Sequence, residues 1–193
     1  HSTTGTLDAA IKNTGVGIDA LDAITSGDSN TALGFEAGSA MTTGSESVYI
    51  GVQAGKQTLG GSNTAVGGYA FSASNNANSY ENTAIGSRAL YSAGGTATAL
   101  RNTALGRDAG YGITSGDYNI CIGYDGGDNL TTGSGNVIIG TVDGASATGS
   151  RQLMIAGYDG STTTTWISGD SSGTVSANGG ELTTTGKALV MGF

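Results

Sequence analysis

Proline is absent from all 193 residues, and cysteine, tryptophan and histidine occur once each. With the sole histidine at position 1, a Ser-His-Asp or Cys-His arrangement has no base. One Cys and one terminal His cannot complete a zinc site, and Cys121 has no partner for an intrachain disulfide. Positive charge is also scarce. Seven Lys plus Arg against 15 Asp plus Glu leave a net charge of −8, which argues against nucleic acid as a partner, since binding phosphate requires a basic stripe. It argues equally against anionic membranes. No apolar run approaches the roughly 20 residues of a membrane span, and no signal-peptide pattern is read. His1 in place of an initiating Met is expected to mark the edge of a processed or trimmed fragment. Charged residues at 11% and aromatics at 6% are too few for an ordinary enzyme domain; Ser, Thr and Asn supply the polarity.

What the chain has instead is glycine, 36 of them, and a phrase: Asn-Thr-Ala-Leu-Gly, two free residues, then Ala. It is clearest from Asn30 to Gly34 with Ala37, and from Asn102 to Gly106 with Ala109. Copies begin at Asn13, Asn30, Ser47, Asn63, Asn82, Asn102, Asn119 and Asn136, with a degraded one near Gln152. The steps between those starts are 17, 17, 16, 19, 20, 17, 17 and 16 residues. So short a period, held this long, predicts a solenoid rather than a globular core.

The slots of the repeat set the expected unit. Slots two (Thr14, Thr31, Val48, Thr64, Thr83, Thr103, Ile120, Val137) and four (Val16, Leu33, Ile50, Val66, Ile85, Leu105, Ile122, Ile139) are mostly β-branched and lie on one face of a strand. Slot three, on the other face, is mostly small: Gly15, Ala32, Tyr49, Ala65, Ala84, Ala104, Cys121 and Ile138. Cys121 there reads as a packed thiol rather than a nucleophile. Slot five is always glycine (Gly17, Gly34, Gly51, Gly67, Gly86, Gly106, Gly123, Gly140), which demands either φ > 0 or a neighbour too close for a Cβ. A second glycine lies three residues before most repeat starts. Two glycine marks per period predict a flattened coil with two short strands. The Asn residues that open the copies (Asn30, Asn63, Asn82, Asn102, Asn119 and Asn136) are expected to bond as an amide ladder at the inter-coil spacing of about 4.7–4.9 Å.

Slot four is expected to point into the coil. A two-strand coil then has a thin interior, and the alanine face at slot three is expected to contact other copies of the chain, as an obligate oligomer of three.

At these residues the sequence resembles a known family. Ser47-Val48-Tyr49-Ile50-Gly51 and Asn136-Val137-Ile138-Ile139-Gly140 are similar to the head repeat of YadA-type trimeric autotransporter adhesins. The Asn-Thr-Ala-Leu/Val/Ile-Gly-x-x-Ala variant also resembles repeats of bacteriophage tail fibres. The resemblance covers about residues 13–157. It implies a left-handed parallel β-roll wound as an interlocked homotrimer that holds or presents binding surfaces. The period is longer than the adhesin one, and no coiled-coil stalk or membrane-anchor barrel is expected from residues 158–193.

Three regions are expected: a lead-in or cap (1–12), about nine coils (13–157) and a C-terminal β cap or tip (158–193). Coils four and five carry their extra residues within Phe71–Glu81 and Tyr91–Arg101, where Ser79 and Ala99 replace the linker glycine. Insertions in a solenoid emerge on one face, often the binding face. Tyr80, Tyr91 and Arg101, together with Trp166 in the run Thr162–Ile167, are therefore the candidate receptor contacts; slack turns and a core Trp are the plainer alternatives. Asp19, Glu36, Asp108 and Asp125 follow a slot-five glycine by two residues and are expected to be solvated acids. No metal, cofactor or catalytic residue is expected.

The expected function is a non-enzymatic structural and adhesive fibre segment of a phage tail fibre, on a virion, bound to a host surface glycan or protein and to other tail proteins. A bacterial surface adhesin head and a glycan depolymerase acting through paired carboxylates are the alternatives; an ice-binding solenoid fits less well, because Val48, Ile120 and Val137 interrupt the slot-two threonines.

Overall fold

A computed structural model describes residues 10–72, 79–91, 99–177 and 180–182. Eight three-residue strands come first: β1 (Thr14–Val16), β2 (Thr31–Leu33), β3 (Val48–Ile50), β4 (Thr64–Val66), β5 (Thr83–Ile85), β6 (Thr103–Leu105), β7 (Ile120–Ile122) and β8 (Val137–Ile139). Each pairs in parallel with the next, slot on slot, so that Ala84 faces Ala104 and Ile85 faces Leu105. β9 (Leu153–Tyr158) adds one more parallel strand to β8. The chain then reverses through β10 (Thr163–Gly169), β11 (Val175–Ala177) and β12 (Gly180–Leu182), all antiparallel. The fold is a parallel β-solenoid of about eight turns with an antiparallel end, and no helix occurs among the described residues.

Both reasons for the slot-five glycine apply at once. At Gly106 φ is +135°, and a Cβ would meet the carbonyl oxygen of Gly123 in the next coil at 2.3 Å. The linker glycine answers to the same crowding, since a Cβ on Gly133 would stand 1.9 Å from Gly149 O. The amide ladder is present. Asn102 Oδ1 accepts from the backbone N of Asn119 at 2.9 Å and from its Nδ2 at 3.1 Å, while Asn102 Nδ2 donates to Gly116 O at 2.9 Å. Ser79 and Ala99 keep the linker role through their carbonyls, which accept from Asn63 and Asn82.

Two expectations are corrected. Among the described residues each coil shows one strand, and the expected second strand is not seen. After the slot-five glycine the backbone enters the left-handed region at slot seven (Asp19, Glu36, Gln53, Arg88, Asp108) and again at slot nine (Leu21, Phe71, Leu90, Gly110). Positive φ at alternate positions cannot continue an extended strand, so the return path is a series of turns, held to its neighbours by bonds such as Leu90 N to Ala109 O.

The faces of the strand are also reversed. Slot three is the interior: Ala32, Tyr49, Ala65, Ala84, Ala104, Cys121 and Ile138 are all buried. Slot four faces outward, with Val16, Leu33, Ile85 and Leu105 between 39% and 57% exposed. The opposite wall is close, for a Cβ added at Gly15 would lie 3.2 Å from Ala20 O. Only small residues fit there unless a neighbour makes room. The core is completed by the slot-eight alanines and by residues the repeat reading passed over: Leu21, Phe71 and Leu90 at slot nine, and Ile24, Met41, Ile113 and Leu130 at slot twelve. Phe71, expected within an inserted loop, is thus a core residue. The alanine side expected to contact other copies is therefore part of the chain's own core, and the outer strand face carries the slot-four aliphatic residues.

Candidate functional site

Because successive coils lie one strand spacing apart, residues 17 to 20 apart in sequence become neighbours, and the polar side chains of coils five to eight assemble in this way. Slot seven contributes Arg88, Asp108 and Asp125; slot six contributes Arg107 and Tyr124; slot ten contributes Tyr91, Tyr111 and Asp128. Arg88 Nη2 lies 2.7 Å from Asp108 Oδ2, and Arg107 Nε lies 3.1 Å from the same oxygen. Tyr91 stacks on Tyr111 with ring centroids 5.2 Å apart, and the Arg88 guanidinium sits 5.5 Å from the Tyr111 centroid. Arg107 lies 5.3 Å from the Tyr124 centroid and donates to its hydroxyl at 3.2 Å.

These side chains line a groove of about 390 Å³ bounded by Arg88, Arg107, Asp108, Tyr111, Tyr124, Asp125 and Asp128. A second groove of about 300 Å³, lined by Thr141, Val142, Asp143 and Thr163, shares Asp125 and Asp128 with it. Burial, and then the neighbouring Asp143 carboxylate, push the Asp128 carboxyl up to about 7. Asp108 is buried, and its second oxygen, Oδ1, has no hydrogen-bond partner among the described residues. The expectation of solvated acids is therefore corrected here: Asp108 is enclosed by two guanidinium groups. Glu36 likewise is held by Lys56 and Gln53, which lower its pKa.

The four residues singled out as receptor contacts do not form one site. Arg101 pairs with Glu81, donates to the Tyr118 hydroxyl at 2.7 Å and lies 5.3 Å from that ring's centroid. Tyr80 is exposed and is tied to Arg101 through the backbone, its carbonyl accepting from Arg101 N at 3.1 Å. Tyr91, half-buried, belongs to the groove through its stacking on Tyr111. Trp166 stands apart in the β9–β10 hairpin, where the register shifts between Thr165 and Ile167. A bulge of this kind re-aims a side chain, and here the indole covers Gly157, whose absent Cβ would lie 2.4 Å from Trp166 Cζ2. The other side of Trp166 is exposed and forms a shallow groove of about 280 Å³ with Tyr158, Asp159, Thr162 and Thr164. The central parts of the two insertions, 73–78 and 92–98, lie outside the described residues.

Arg88, Arg107, Asp108, Tyr111, Tyr124 and Asp128 escape a reading that searches the inserted loops. Their signal was present as complementary residue types in one slot, one coil apart. No group of three or more acids, Cys or His among the described residues could hold a metal ion. Cys121 is buried, and burial pushes its thiol up to about 12, the state of a packed side chain and not of a nucleophile. The fold class is a β-solenoid. No family model matches the chain, and neither the curated proteins nor the solved structures yield a match.

Proposed function

We propose that the chain is a segment of a structural and adhesive fibre in which three copies wind together as left-handed rolls, of the kind used in bacteriophage tail fibres to reach a host surface. The observation that carries this reading is the outward aliphatic ladder. Val16, Leu33, Ile50, Val66, Ile85, Leu105, Ile122 and Ile139 lie in register along the outer face of eight strands, a stripe roughly 34 Å long at the usual strand spacing. Ile18, Phe35 and Val52, two residues further on, widen it in the first three coils, with Ile18 72% exposed. A single-copy protein rarely presents so long an apolar strip to water, and burying it between copies gains free energy in proportion to the area covered.

Two further features suit a fibre. Nearest-neighbour stacking gives a rod whose stability is built coil by coil, and the polar, acidic composition (sequence pI ≈ 4.2) suits a surface that meets solvent on its remaining sides. The test is multi-angle light scattering of the intact chain with electron microscopy of the particles. Trimeric rods are expected; a stable folded monomer at micromolar concentration would overturn the reading.

A further inference from the structure

We propose that the groove across coils five to seven, bounded by Arg88, Arg107, Asp108, Tyr111, Tyr124 and Asp128, is a binding site for an uncharged carbohydrate. This rests on the fibre reading and gives it a receptor class.

The argument starts from the groove's chemistry. Its volume of about 390 Å³ falls within the range of small-ligand sites, and with the adjoining groove that shares Asp125 and Asp128 it offers length for more than one sugar ring. Its walls combine aromatic rings with charged groups, which is what a pyranose requires: an apolar ring face to lie against, and fixed acceptors for hydroxyl donors. Tyr124 is half exposed and is held by Arg107 from the coil beneath. Tyr111 is set in place by Tyr91 and Arg88. Rings fixed in this way lose little freedom when a ligand settles on them.

Asp108 fixes the charged wall of the groove from within. Its Oδ2 is held by both arginines, while Oδ1 is buried without a donor among the described residues. An unmatched buried carboxylate oxygen is costly; that oxygen is enclosed and not reached from the groove, and Asp108 sets the position of Arg107, which in turn holds Tyr124.

Charge then selects the ligand. Asp108 offsets one of the two guanidinium charges, and Asp125 and Asp143 outweigh the other, so the combined groove keeps a small acid excess that grows as Asp128 ionises near pH 7. Uronic acids, sialic acids and phosphorylated sugars are repelled from such a surface, while neutral hexoses are not. Trp166, in a different groove with Tyr158 and Asp159, takes no part.

The experiment is an array of neutral and acidic glycans probed with the intact chain, followed by titration calorimetry on the best neutral glycan. Wild type is compared with Tyr124→Ala, Asp108→Asn and Trp166→Ala. The proposal expects neutral glycans to be retained, with affinity weakened roughly tenfold or more by Tyr124→Ala and by Asp108→Asn and kept by Trp166→Ala. Tyr124 lies at the surface, so its replacement tests the site even if Asp108→Asn fails to fold. Retention of acidic glycans alone, retention of none, or loss through Trp166→Ala with Tyr124→Ala unaffected overturns it. Light scattering on the same samples reports the assembly separately: a trimer that binds no neutral glycan sinks the site and leaves the fibre standing.

Discussion

The ring of Tyr49 occupies the space that a side chain at Gly55 would need, since a Cβ there would lie 2.4 Å from both Cδ1 and Cε1 of the tyrosine. The two belong to one coil, at slots three and nine, and other coils share the same volume in other ways. Ala65 is matched with Phe71 and Ala84 with Leu90, whereas Ile138 is matched with Gly144. Tyr49→Ala is expected to cost about 3–5 kcal/mol as a large core truncation. Gly55→Ala is expected to cost about 1–3 kcal/mol through overpacking. In the Tyr49→Ala background, Gly55→Leu should recover part of the loss, because it recreates the Ala84–Leu90 pair, in which Leu90 adopts φ +49°. Urea unfolding of these three variants, with Gly55→Leu alone to close the cycle, measures this; strictly additive losses would contradict shared volume.

The amide ladder makes a second prediction. Asn102→Ala strands the Asn119 backbone N and the Gly116 carbonyl, both previously bonded to the buried Asn102 amide. About 2–4 kcal/mol of stability should go with them. Asn102→Ser should be milder, since Ser47 already fills a rung and its Oγ accepts from Asn63 N at 3.2 Å. Equal losses for Ala and Ser in chemical denaturation would count against a ladder built on acceptors.

Acid titration gives a third. The Asp128 carboxyl is raised from 3.8 to about 7, by burial first and then by Asp143, Asp125 and Asp108. A raised carboxyl keeps its proton in the folded protein, so its contribution is intact below about pH 4 and is lost as pH climbs through about 7. Glu36, Asp159 and Asp170 are lowered by hydrogen bonds and act in the opposite sense, losing their contribution as pH falls. Subtracting variant from wild type isolates the first effect. Asp128→Asn should raise the melting temperature at pH 8 and leave it nearly unchanged at pH 4; the reverse order would refute the assignment.

The outer ladder gives a fourth. Leu105, sixth of the eight residues in the stripe, is 47% exposed. Leu105→Asp should leave the strand signal in circular dichroism intact while reducing the mass seen by light scattering to that of one chain. Should Leu105→Asp unfold the chain, or leave the assembly whole, the stripe is not the contact surface.

The strand positions, the coil period and the amide ladder were legible because each depends on a residue type that recurs at a fixed slot. Glycine at slot five had two possible causes and proves to have both. The inward face was misread because hydrophobicity alone was weighed. Size decides it, for Ala84 and Ala104 fit against a wall that Ile85 and Leu105 could not approach. The second strand was inferred from glycine punctuation, but a backbone with Asp108 and Gly110 both at positive φ is a turn. The groove was missed because its pairs, such as Arg88 with Asp108, stand 20 residues apart and meet only when coils are laid one above another.

Slot-on-slot registry also makes the molecule a ruler. Removing one whole period, from Asn102 through Tyr118, would bring Asn119 into the seat beneath which Asn82 waits, with its amide able to take up the bonds that Asn102 made there. The rod would shorten by one step of about 4.8 Å. Reach in such a molecule comes in discrete increments, and duplication or excision of single periods is a route by which it can be lengthened or trimmed without a new fold.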